Sequence, residues 1–288
     1  LRIPFDSSTL WPELLPCGFN PYSILENKKL GYGFRDVHKS GITGKGVLIA
    51  VIDHPSNIDH IEIKDNLKEY VILDEKYNLS HFHGLAVLSH LCGRKLGIAP
   101  DAEVIFYGAQ PYEHDENDKL DGNIIIDFGI KCLKDIKNRI KNGQLIRIIN
   151  MSSSWLHKGS YELKQKASNL ILELKELGCV LIDSTVFWNN FSYLDCKANQ
   201  DYDNIDNYYT PSFFKKDIGN LMNFLSGGKL IPSYLTQDNY IFEPEGCASY
   251  SIPQLSGFYA LGLQVNPELK YNDFVAFCFV NSIVNKSG

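Results

Sequence analysis

Val47-Leu48-Ile49-Ala50-Val51-Ile52-Asp53 is the segment that most restricts the fold. It is short, rich in β-branched residues, uninterrupted, and ends on a carboxylate. A strand with one wet face alternates apolar and polar residues. A run with no polar face suits a parallel strand covered by helices on both sides. A turn signal, Gly41-Ile42-Thr43-Gly44-Lys45-Gly46, leads into it. The pattern then alternates. Residues 83–92 read as helix, Ala102–Tyr107 as strand, and 122–142 as helix, with Ile125, Ile126, Ile130 and Leu133 at helical spacing. Leu145–Asn150 reads as strand, 161–177 as an amphipathic helix closed by Gly178, and Cys179–Ile182 as another strand. Repeated strand–helix–strand units predict an α/β chain of three layers, a mostly parallel central sheet with helices on both faces.

The flanks differ. Residues 1–40 are rich in Pro, Gly, Asn and aromatics without a clear period, and predict an irregular N-terminal extension lying on the surface of a 41–288 domain. Residues 188–245 are Asn-, Asp- and Tyr-rich and predict short strands and loops rather than helices. Helical spacing returns at Ile252–Val265 and Tyr271–Val284. Glu113-His114-Asp115-Glu116-Asn117-Asp118 reads as a solvated loop rather than a cation site.

Bulk properties exclude several function classes. The 288 residues are 44% hydrophobic and 22% charged, which is ordinary globular composition and not that of a disordered chain. A net charge of −6 favours neither nucleic acid nor an anionic membrane surface as partner. No run of about 18 apolar residues predicts a transmembrane helix, and the N-terminus does not read as an intact signal peptide. Seven cysteines, an odd number with no Cys-x-x-Cys pair, offer no zinc knuckle and point to a reducing, cytoplasmic setting, with a processed secreted form left open. Oligomeric state is unreadable.

In parallel α/β sheets, functional groups gather at the carboxyl ends of strands. Asp53 stands at such an end. His83-Gly84 opens the next apolar helical run, so His83 lies at a helix N-terminus. Ser249 stands just before another helix whose first turn accommodates Pro253. The free N–H groups and dipole of that helix favour an oxyanion developing beside Ser249. Each residue has a plain alternative: a strand-end acid bonded to backbone, a packing histidine, a helix cap.

Taken together and in order, these segments resemble the subtilisin-like serine peptidases. Val51-Ile52-Asp53 with Asp59-His60-Ile61-Glu62-Ile63 resembles the family's aspartate block. His83-Gly84 with Gly97-Ile98-Ala99-Pro100 resembles the histidine helix and the turn after it. Ile149-Asn150-Met151-Ser152 resembles the strand that lines the substrate cleft, and Ser249, Pro253 and Gly257 match the nucleophile helix. The Asp, His, Ser order is the subtilisin order. The resemblance covers roughly residues 41 to 285 and implies a subtilisin-like fold, an Asp53-His83-Ser249 triad and a peptide or protein substrate. It also implies that Ser152, Ser153 and Ser154 pair with extended substrate as an added strand. The sequence shows no cofactor requirement, and no acidic cluster in it is diagnostic of the structural calcium that the family often carries.

The chain also departs from the pattern. His54-Pro55 follows the aspartate where Ser-Gly is usual, Leu85-Ala86 replaces Thr-His, and Cys247-Ala248-Ser249-Tyr250 replaces Gly-Thr-Ser-Met. Cys247 is a rival nucleophile two residues from the expected position. Ungapped counting puts Phe187 where the oxyanion-hole Asn belongs, and Asn189 takes that role if two residues bulge. That mismatch keeps two alternatives open beside a serine endopeptidase. One is a catalytically weak or inactive subtilase serving as a peptide-binding or scaffolding module. The other is an acyl transferase that joins or cyclises peptides with the same triad.

Overall fold

The computed structural model describes residues 4–17, 19–26, 31, 33–75, 81–108, 121–152, 155, 159–186, 191–196, 200–210, 222–226, 230–243 and 248–283. Five strands form the central sheet: β1 (Leu48–Asp53), β2 (Leu67–Val71), β3 (Glu103–Gly108), β4 (Ile146–Met151) and β5 (Val180–Asp183). They lie in the order β2-β3-β1-β4-β5, and every neighbouring pair is parallel. The reason is visible in β1. Successive side chains of a strand point to opposite faces, and both sets here are apolar. Ile49 and Val51 enter one core, packed with α3 (Phe82–Cys92) and α6 (Ser251–Val265). Leu48, Ala50 and Ile52 enter the other, packed with α4 (Gly122–Lys141) and α5 (Tyr161–Glu176).

The helices follow their sequences. Gly84 to Cys92 are all buried in α3, which is apolar all round and sits inside. Polar residues cover the outer faces of α4 and α5. Asp121 caps α4 by accepting the Asn123 N–H at 2.8 Å, and Ser160 caps α5 by accepting that of Leu163 at 3.3 Å. The last helix, α7 (Tyr271–Val280), stops before Val284, where the Asn281 side-chain amide donates to the Phe277 carbonyl at 2.8 Å.

Strand β2 has no counterpart in the sequence reading. It is a five-residue edge strand, Leu-Lys-Glu-Tyr-Val, and an edge needs no continuous apolar run. Contacts outside the strand hold it. Asn66 donates to the Pro100 and Ala102 carbonyls (2.6 and 3.0 Å), and Arg139 of α4 forks onto Glu69 with two bonds of 2.7 Å.

The N-terminal stretch is more ordered than its composition suggests. It carries two short helices, α1 (Pro21–Glu26) and α2 (Phe34–Lys39). Phe5 exchanges two backbone hydrogen bonds with Tyr240 (2.8 and 2.9 Å) and is fully buried in a small core with Ile24, Leu96, Leu230 and Tyr240. Phe34 joins the main core. These anchors are too far apart in sequence to generate a period. Residues 188–245 do form short strands: β6 (Phe191–Cys196), β7 (Tyr208–Tyr209), β8 (Met222–Ser226), β9 (Leu230–Pro232) and β10 (Tyr240–Phe242). Among the described residues they contain no α-helix. Six cysteines, Cys17, Cys92, Cys132, Cys179, Cys196 and Cys278, are free thiols, and no described helix is long and apolar enough to cross a membrane.

Candidate active site

Asp53 is the last residue of β1, at the carboxyl edge of the sheet. Its Oδ1 accepts the N–H of His54 at 2.8 Å and lies 2.6 Å from His83 Nδ1. The Asp53 side chain is 3% exposed and that of His83 is 17% exposed, so the carboxylate is sealed while the imidazole reaches solvent. His83 is held from below by the start of α3. The helix is capped by His81, whose Nδ1 accepts the His83 N–H at 3.2 Å. Gly84 follows because α3 passes so close to β1 that a Cβ there would collide with the His54 carbonyl oxygen.

Ser249 lies in a single 3₁₀ turn, Ala248–Tyr250, that runs directly into α6. Pro253 falls in the first turn of α6, where a missing N–H leaves no ladder bond unmade. Tyr250 is buried, its ring centroid 6.3 Å from that of His83 and 5.0 Å from that of His90. That contact brings the turn bearing Ser249 against the start of α3. Gly257 lets α6 pack closely on the end of α3 and the segment after it, since a Cβ would press on Ile98 at 2.8 Å and on the Leu91 carbonyl at 3.2 Å. The buried Asn150 of β4 ties the arrangement to the sheet. It accepts from Ser256 of α6 at 2.9 Å and donates to Ser152 at 3.3 Å, just beyond the carboxyl end of β4.

Charge follows from these contacts. Burial works to raise the Asp53 pKa. The His83 imidazole, its hydrogen bond, and the nearby His54 outweigh burial and hold the carboxyl below its ordinary range. His54 is pushed down to about 4, chiefly by burial, with Asp53 opposing and His83 and His81 adding to the shift. At neutral pH the site therefore pairs a carboxylate with His83 and keeps His54 neutral.

The structure thus joins Asp53 to His83 and places Ser249 on the neighbouring turn. Ser152 is buried behind the β4 end. Ser153, Ser154, Phe187, Asn189, Cys247 and the 113–118 acidic cluster lie outside the described residues. Sequence reasoning gave no role to His54 or His81, yet both rings lie against the site: His54 and His81 centroids are 4.6 Å apart, and His54 is 5.3 Å from His83. The available signal was the crowding of His54, His81 and His83 around one strand end and one helix start. Nor did it foresee the task of His60 and Glu62 in the aspartate block. Both are fully buried. His60 Nε2 meets the Asn239 carbonyl at 2.9 Å, and Glu62 accepts from the Lys95 N–H and the Tyr240 hydroxyl (2.9 and 2.5 Å), knitting the post-β1 loop to β10.

Solved structures share this fold. PatG macrocyclase in complex with peptide superposes at a TM-score of 0.59 with 13% identity, over 89% of this chain and 88% of that one. A cold adapted subtilisin-like serine proteinase gives 0.55 with 14% identity, over 85% of each chain. The chain has the subtilisin-like fold. The prenylagaramide maturation protease PagA is a third likeness, at 0.51 and 16% identity over 83% of each chain. At such identities the likeness is one of architecture. No protein-family model matches the chain, and no curated protein does.

Proposed function

We propose that the chain is a serine endopeptidase working through Asp53, His83 and Ser249. The observation that supports this most is the 2.6 Å bond between Asp53 Oδ1 and His83 Nδ1 at the carboxyl edge of the sheet, beside the turn that carries Ser249. With its proton on Nδ1 and held by Asp53, the imidazole keeps a lone pair on Nε2. In this reading Nε2 takes the Ser249 hydroxyl proton as Oγ attacks a peptide carbonyl. The proton then passes to the leaving amine, and water repeats the cycle on the acyl-enzyme. Asn189 supplies a side-chain donor to the oxyanion, and Ser152 to Ser154 pair with extended substrate.

The test is fluorophosphonate labelling followed by a peptide-library digest. Wild type should label and cleave, and Ser249→Ala should do neither. Labelling that survives in Ser249→Ala would sink the assignment, and a folded wild type that neither labels nor cleaves would turn the reading to a peptide-binding module. Acyl transfer to an amine is a second reading, favoured by the architectural likeness to a macrocyclase in complex with peptide. Mass spectrometry of products formed with an amine acceptor separates the two: ligated or cyclic products support transfer, and hydrolysed ends alone exclude it.

A further inference from the structure

Asp53, His54 and His83 each offer one ligand-type atom, and these atoms all lie within 4.8 Å of one another. Among the described residues no other trio of such side chains is grouped so closely. Tetrahedral zinc, bonded to nitrogen at about 2.0–2.1 Å and to carboxylate oxygen at about 2.0–2.2 Å, spaces its ligands by about 3.3 Å. The 2.6 Å Asp53–His83 pair must therefore open by about 0.7 Å to admit an ion. His54 is the residue that makes the trio, and it stands where the subtilisin resemblance expects serine. The 17% exposure of His83 gives an ion a route in from solvent. Two imidazoles and one carboxylate with a fourth position open to water are a donor set that suits zinc.

We infer that Asp53, His54 and His83 form a zinc site overlapping the proposed triad, so that a bound divalent transition-metal ion switches the enzyme off. The inhibitory half of this rests on the peptidase reading, while the binding half does not. Binding at His83 Nδ1 replaces the proton shared with Asp53. That proton leaves to solvent and the Asp53–His83 hydrogen bond is lost, and with it the support that lets Nε2 act as a base toward Ser249.

The experiment has two readouts on the full chain. Calorimetric titration with zinc should show one site, and His54→Ala should weaken it by at least about tenfold, the cost that even an outer partner of a metal ligand can carry. Cobalt in place of zinc should give a visible spectrum without thiolate charge transfer. Separately, zinc should suppress fluorophosphonate labelling of wild type, a chelator should restore it, and labelling of His54→Ala, scaled to its own metal-free level, should resist the same zinc concentration. Equal zinc affinity in wild type and His54→Ala, or a thiolate band with cobalt, would place the ion elsewhere, the exposed Cys17 included, and overturn the site. Tight, His54-dependent binding that leaves labelling untouched would overturn the switch. A wild type that never labels but binds zinc through His54 would keep the site and refute the peptidase reading instead.

Discussion

His90 should make this protein acid-labile by an amount that can be worked out. Its side chain lies on α3, fully enclosed, its ring tilted against Tyr250 at 5.0 Å, and the buried Nε2 has no hydrogen-bond partner among the described residues. Burial alone pushes its pKa from 6.5 down to about 4. A histidine with a depressed folded pKa binds more protons when unfolded. Its contribution is therefore fully present above pH 6.5 and is lost as pH falls toward 4. Linkage with those two values removes ~2 kcal/mol by pH 5 and ~3 kcal/mol by pH 4. In a chain of this size that lowers Tm by roughly 5–10 °C at pH 4. His90→Leu removes the titrating group and keeps the site apolar. The assay is thermal unfolding of both proteins at pH 7, 6, 5 and 4, read as the variant-minus-wild-type difference in Tm. His54 titrates in the same range but is present in both proteins, so it cancels. The difference should move steadily in favour of the variant as pH falls through 6. A difference that stays flat from pH 7 to 4, or moves the other way, would refute the buried, uncharged reading of His90.

Other perturbations have definite expected outcomes. Asp183 is buried at the end of β5 with Oδ2 unbonded among the described residues, and burial raises its pKa against two bonds from Thr185. Stability tied to it is present at low pH and lost as pH rises through the folded value, so Asp183→Asn should raise Tm more at pH 7 than at pH 4. Equal gains at both would count against it. Gly84→Ala should cost more than ~2 kcal/mol in denaturant melts and reduce labelling, because α3 cannot approach the His54 carbonyl; a wild-type midpoint would contradict the close packing. Phe5→Ala should cost ~3–5 kcal/mol, the usual loss for a buried aromatic, whereas a change under ~1 kcal/mol would mean the N-terminal stretch contributes little to the fold. Asn189→Ala should lower turnover by about a hundred- to a thousand-fold if it donates to the oxyanion, and unchanged turnover would send the search to another donor.

How far the sequence foretold this molecule depends on the range of the forces involved. The central sheet was legible because β1, β3, β4 and β5 are buried on two faces, and double burial writes itself as an apolar run. Strand β2 was not, since Leu67–Val71 is partly exposed and its place is fixed by Asn66 and by Arg139, 70 residues from Glu69. The same division runs through the site. Asp53 and Ser249 were legible because each stands at the end of an element with a strong local signature. His83 was legible because the glycine after it records a steric fact, the approach of α3 to the His54 carbonyl.

His54, His81 and His90 carried no such signature. What they do depends on neighbours that only folding supplies: Asp53 from one strand end, the first turn of α3, and Tyr250 from a turn 160 residues after His90. The His54 and His81 rings lie against His83 and that of His90 against Tyr250, and burial keeps His54 and His90 neutral at physiological pH. A neutral, apolar flank strengthens the single Asp53–His83 pair, because a competing positive charge there would draw on the same carboxylate. That is a physical reason for the imidazole of His54 to replace a serine beside the pair without displacing it. It also makes His54 the one substitution that gives the site a second chemistry, since its ring lies close enough to Asp53 and His83 to share a metal with them.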